Sequence, residues 1–135
     1  MPQITVRKSI SYTDIDSGAS YDLSTSKVKV GRHAYRQTLN CGDGVIRRII
    51  EVGTSPNYQK LIFCQVKNVG AFDLELAVNS GTGIISVIVP PGRVWEVFNT
   101  NFWNDASASN PDTIDEITGE GMGGETKVKV DALFA

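Results

Sequence analysis

Histidine is almost missing from this chain: His33 is the only one in 135 residues. Catalytic triads and most metal centres lean on imidazole, so the scarcity removes the commonest general-base arrangements and every multi-histidine site. A Cys–His pair with Cys41 or Cys64 stays formally open, but nothing in the neighbouring residues supports it. His33 lies near a turn, where a solvated side chain is expected. The two cysteines read as free thiols, with Cys64, inside Leu61-Ile62-Phe63-Cys64, as a small buried hydrophobe and Cys41 in a turn composition.

Positive charge is not in surplus either. Thirteen Lys and Arg against fifteen Asp and Glu leave a formal net charge of −2 and a pI near 5.3. A nucleic-acid binder normally carries a basic excess to offset phosphate, so that class is disfavoured. Long apolar runs are missing as well. The longest, Gly83 to Val89, is far too short to cross a bilayer as a helix, and no membrane partner is expected. Met1 to Ser11 alternates polar and apolar residues where a signal peptide would form an apolar block. The product is therefore expected to fold in a cytoplasm. Leucine (6) and alanine (8) are thin beside valine (14) and isoleucine (12). Branching at Cβ restricts χ1, which disfavours a helix and suits a pleated surface. With ten threonines, eleven aromatics and thirteen glycines, the composition is that of an all-β protein.

The periodicities agree. Ile4, Val6 and Ile10 give a weak strand, Thr13 to Ser20 a loop, Tyr21-Asp22-Leu23 a short segment, and Lys27 to Val30 a clean alternation. Arg32 to Leu39 is ambiguous, and Val45 to Val52 is a better strand. Gln59 to Val69 is nearly continuous in apolar character, which predicts a central strand covered on both faces. Phe72, Leu74, Leu76 and Val78 alternate with Asp73 and Glu75. Asn79 to Gly83 has hairpin composition, Ile84 to Val89 returns, and Pro90-Pro91-Gly92 ends the pairing before Arg93 to Phe98. Asn99 to Pro111 reads as a polar loop, Asp112 to Thr118 as a strand, and Val128 to Phe134 as a strong one. About eight to ten short strands with turn chemistry between them predict one antiparallel β-sandwich over residues 1–135, jelly-roll or immunoglobulin-like, with 1–20 as an extended segment.

No constellation of residues carries a reaction, so the expectation is a protein that is not an enzyme and needs no cofactor or metal. Asp14, Asp16, Asp43, Asp105, Asp112, Asp115 and Glu116 lie in loops or near strand ends, where solvation accounts for them. Asp14-Ile15-Asp16-Ser17-Gly18 resembles the start of a calcium loop but lacks the later ligands. Gly119-Glu120-Gly121-Met122-Gly123-Gly124 lacks the Lys and Ser/Thr of a phosphate loop, and its glutamates would repel phosphate. It reads as a flexible connection that orders against a partner, which makes Gly121 and Met122 candidate contacts. Arg47 and Arg48 point to opposite faces of one strand, so with Lys8, Arg32 and Arg36 they are expected as ordinary solvated charges. Trp95 reads as core. Phe102 and Trp103, large aromatics in a polar loop, are candidate partner contacts.

The run Leu61 to Gly70, with its Lys67-Asn68 ending, then Phe72 to Val78, then Ile84 to Val89 closing on Pro90-Pro91-Gly92, resembles a layout common in small virion proteins of tailed bacteriophages. The resemblance implies a β-sandwich capsid decoration (cement) protein, or a head–tail or tail component. It implies virion proteins, above all the major capsid protein, as partners, a homo-oligomer, and a place in the virion. It carries over no site residues. A carbohydrate-binding module is the alternative from another class, with Trp103, Phe102 and Tyr58 as its stacking platform.

Overall fold

The computed structural model describes residues 2–13, 15–53, 60–80, 83–98, 101–103 and 112–134. Among them every regular element is a strand: β1 (Gln3–Thr13), β2 (Ser20–Val30), β3 (His33–Cys41), β4 (Arg47–Glu51), β5 (Leu61–Asn68), β6 (Asp73–Ser80), β7 (Ile84–Val89), β8 (Val94–Phe98), β9 (Asn101–Trp103), β10 (Asp112–Met122) and β11 (Thr126–Phe134).

Eight of these strands form one long antiparallel ribbon folded over on itself. β3 pairs with β11, β4 with β10, β5 with β8 and β6 with β7. Two further pairings, β11 with β5 and β10 with β6, join these arms into sheets of order β3-β11-β5-β8 and β4-β10-β6-β7. A double ribbon wound this way is a jelly roll, which resolves the two sandwich topologies left open by the sequence. β9 adds a short pairing to the start of β10.

Alternation explains why the sheets face each other. Along β11, Thr126, Val128, Val130, Ala132 and Phe134 are buried while Lys127 and Lys129 are exposed. Leu74, Leu76 and Val78 of β6 and Ile114 and Ile117 of β10 meet them from the opposite sheet in one apolar core. Each such side chain contributes roughly 1.5–3 kcal/mol by leaving water. Trp95 packs against this core half-buried, as its alternation predicts.

β5 is covered on both faces only near its start, at Phe63, while Lys67 further along the outer face is exposed; a register shift sets which side chains face the core. Leu133 pairs with Phe63 but Phe134 with Leu61, so Ile62 is the extra residue of a bulge. The bulge keeps Leu61, Cys64 and Val66 in the core and turns Phe63 outward, where it lies buried beside Leu133. What covers that outer pair is the root of the β1–β2 hairpin. Gly31 donates to Pro2 O at 3.0 Å, Arg32 donates to Phe134 O at 2.8 Å, and the Gly31 backbone rests on Leu133. From this root β1 and β2 pair over eleven rungs, Gln3 with Val30 through Thr13 with Ser20, and share no rung with either sheet.

Several expectations are corrected. Residues 21–30 form one long strand with Ser20, where two fragments were expected, and the ambiguous stretch Arg32 to Leu39 is most of β3. The loop expected over Asn99 to Pro111 contains β9. The largest difference is the glycine-rich segment, which is the end of β10 and a tight turn.

Candidate interaction surfaces

The glycines of 119–124 serve close packing. A Cβ on Gly119 would stand 2.7 Å from Ile49 Cδ1, and one on Gly121 would stand 2.8 Å from Cys41 O and 3.1 Å from Gly42 O. The crossing segment 41–45 clamps these residues: Gly121 N donates to Gly42 O at 2.9 Å, Gly44 N donates to Gly121 O at 3.1 Å, and Gly123 N donates to Asp43 Oδ1 at 3.1 Å. Gly121 is buried, with both backbone groups bonded inside the chain. Its neighbour Met122 is 42% exposed, and Phe72, exposed to the same degree, lies over Gly124. Small residues in such a run suggest freedom; here they mark where two backbones approach.

At the same end of the sandwich, Asn68 joins the end of β5 to the turn before β6, the end of β7 and the start of β11. Its Nδ2 donates to Phe72 O at 2.7 Å and to Val89 O at 2.8 Å. Its Oδ1 accepts from Gly70 N at 3.1 Å and from Thr126 Oγ1 at 2.7 Å. Its backbone carbonyl accepts from Gly92 N at 2.7 Å, which seats the turn after Pro90-Pro91. A fully buried amide tolerates that position because all of its hydrogen-bonding capacity is met. The role is architectural.

The outer faces differ in sign. The β3-β11-β5-β8 sheet presents Arg36, Lys67, Lys127 and Lys129, with Asp131 and Glu96 among them, whereas the other sheet presents Asp73, Glu75, Glu116, Glu120 and Glu51, with Arg48 bridging Glu51 and Glu116 among them. On the first face, an open groove of about 320 Å³ runs between the arm root and the sheet. Ile4, Thr5 and Arg7 of β1 line one wall, and Arg36, Phe63, Gln65 and Asp131 the other. Arg36 Nε donates to Asp131 Oδ1 at 2.6 Å, and this hydrogen bond, with the carboxylate's charge, holds the guanidinium pKa above its ordinary value. With Asp131 already engaged by Arg36, the groove offers mixed polarity and no concentrated charge.

Neither thiol is poised to react. Cys41 and Cys64 are both free and buried, and burial pushes both thiols up, strongly for Cys64, with Arg47 pulling Cys41 weakly the other way. They sit opposite Thr126 and Ala132 of β11, six residues apart along one strand. At about 3.3 Å per residue that is roughly 20 Å, far beyond disulfide reach. His33 opens β3 half-buried, paired with Phe134. No cluster of three metal-binding side chains occurs among the described residues. Arg47 donates to Asn40 O at 3.0 Å and Arg48 bridges Glu51 and Glu116 at 2.8 and 2.9 Å, so the two arginines serve separate partners.

Phe102 and Trp103 lie in β9, where Trp103 pairs with Asp112; their side chains are outside the described structure, as are Tyr58, Asp14 and Asp105. Two surfaces that the sequence did not signal are the long β1–β2 arm, whose tip carries Ile15 at 95% exposure, and β7, which leaves Ile84 and Ile88 at 70% and 46%. No protein-family model matches the chain, and no curated protein matches it in sequence.

Proposed function

We propose that this chain is a non-enzymatic structural protein of a virion, most specifically a decoration protein that binds the major capsid protein and stabilises the head. A tail or connector component of the same particle is the nearest variant. The observation that carries the reading is the β1–β2 arm: eleven rungs anchored at Pro2, Gly31 and Arg32, with an isoleucine in water at the tip. A two-stranded ribbon alone is marginal in water, so an arm of this length gains most of its stability by lying on something. A neighbouring protein in a lattice supplies that support, and two outer faces of opposite sign suit a position between neighbours. The jelly roll is compatible with this role but does not assign it, because one fold hosts many functions.

Cosedimentation tests the reading. Tailed-phage heads stripped of accessory proteins are mixed with the intact chain or with Ile15→Asp, and pelleted. The intact chain is expected in the pellet and Ile15→Asp largely in the supernatant. No pelleting of the intact chain, or binding to an oligosaccharide array that Trp103→Ala abolishes, would overturn it.

A further inference from the structure

The two sheets end in four edge strands, β3 and β8 on one and β4 and β7 on the other. Three carry charge that guards an open edge: Arg36 on β3, Glu96 on β8, and Arg47, Arg48 and Glu51 on β4. β7 reads Ile84-Ile85-Ser86-Val87-Ile88-Val89, with no charge and no proline. Among the described residues it pairs only with β6. Ser80 N donates to Gly83 O at 2.9 Å, which sets the closely spaced rungs of that hairpin at Val78–Ile85, Leu76–Val87 and Leu74–Val89. The backbone N–H and C=O of Ile84, Ser86 and Ile88 therefore point away from β6, at an edge that no other described strand pairs with. Ile85 and Val87, on the core side, are only half-buried, so the sandwich interior is also incompletely closed here.

We propose that β7 is a homodimer edge, pairing antiparallel with β7 of a second copy across a two-fold axis at Ser86. In that register Ile84 faces Ile88 of the mate, Ser86 faces Ser86, and Ile85 faces Val87. Every outward backbone group of the three residues finds a partner, and both half-buried side chains gain an apolar neighbour. A slip of one pair in one direction would set Ile84 against Pro90, which has no N–H to give, and in the other would carry Ile88 past Ile84, where β7 begins. Two-fold pairing places like against like, which a charged strand resists and this one permits. The nearest carboxylate, Glu75, accepts from Ser86 Oγ at 2.8 Å. Its counterpart in the mate lies at least three strand spacings away, about 14 Å, beyond strong repulsion at physiological salt. The pairing is a property of the isolated chain and holds or fails independently of any virion partner.

Light scattering during size exclusion, at micromolar concentrations, should give twice the chain mass of 14.6 kDa. Ser86→Pro deletes an outward N–H and leaves the β6 ladder intact, and Ile84→Lys adds a charge to the edge; both should halve the mass while keeping a β-type circular dichroism spectrum. Ile46→Lys, at an exposed isoleucine elsewhere, should leave it unchanged. Ser86→Cys should form an interchain disulfide under mild oxidation, since opposed Cα atoms in such a rung stand about 5.5 Å apart; Ile84→Cys should not. A monomeric native chain overturns the proposal, and so does a dimer that neither variant splits or one that cross-links through Ile84→Cys.

Discussion

Thr126 Oγ1 donates a 2.7 Å hydrogen bond to Oδ1 of Asn68, and both side chains are buried. The pair ties the first residue of β11 to the last residue of β5, and through Asn68 to the carbonyls of Phe72 and Val89. Asn68→Ala strands two carbonyls, an amide and a hydroxyl, each worth about 1–3 kcal/mol when buried unpaired, so a loss above about 3 kcal/mol is expected. Thr126→Val, which removes one donor and keeps the shape, should cost about 1–2 kcal/mol. Urea unfolding measures both. Equal losses would show that the network is not organised around the amide.

Gly121→Ala drives a methyl into the carbonyls of Cys41 and Gly42 and should cost several kcal/mol, on the order of an overpacked core site. Gly18→Ala, where φ is +72° with open space around it, meets only backbone strain and should cost about 1 kcal/mol. Hydrogen exchange gives an independent check: the Gly121 amide, bonded to Gly42 O, is expected to be strongly protected in the isolated protein.

Much of the sandwich was legible because alternation and turn chemistry are local. Leu74, Leu76 and Val78 against Asp73 and Glu75 declare a half-buried strand, and Pro90-Pro91-Gly92 declares its neighbour's end. What local pattern cannot hold is which strand a given strand meets. The glycines of 119–124 look mobile until 41–45 is laid across them, and the double coverage of β5 at Phe63 needs the Ile62 bulge and the arm root. The β7 edge is written plainly as six uncharged residues, but only strand order reveals that nothing described flanks its second side.

The Cys64 thiol is raised mainly by burial, with the Asp131 charge adding to the effect. The folded chain therefore keeps this proton to higher pH than the unfolded chain. Its contribution is complete below the unfolded thiol value of about 8.5 and drains away above it, at up to about 1.4 kcal/mol per pH unit. Stability measured between neutral and strongly alkaline pH should fall on that limb, and Cys64→Ala should flatten it. A thiol reagent should label Cys64 only in denaturant.

The arm separates into a root and a tip. Leu133→Ala removes packing under Gly31 and should cost about 2–5 kcal/mol and expose the arm to protease. Ile15→Asp, at 95% exposure, should change stability by less than about 0.5 kcal/mol. Thermal melts and limited proteolysis distinguish the two.

β11 sits between β3 and β5, and one of its contacts, Arg36 with Asp131, spans 95 residues. Half of the β-sandwich thus lacks its middle until β11 is in place, and β3 and β5, made before it, each wait with an open flank. That layer must therefore close late and largely at once, which makes the interval before β11 docks the one of greatest exposure to aggregation.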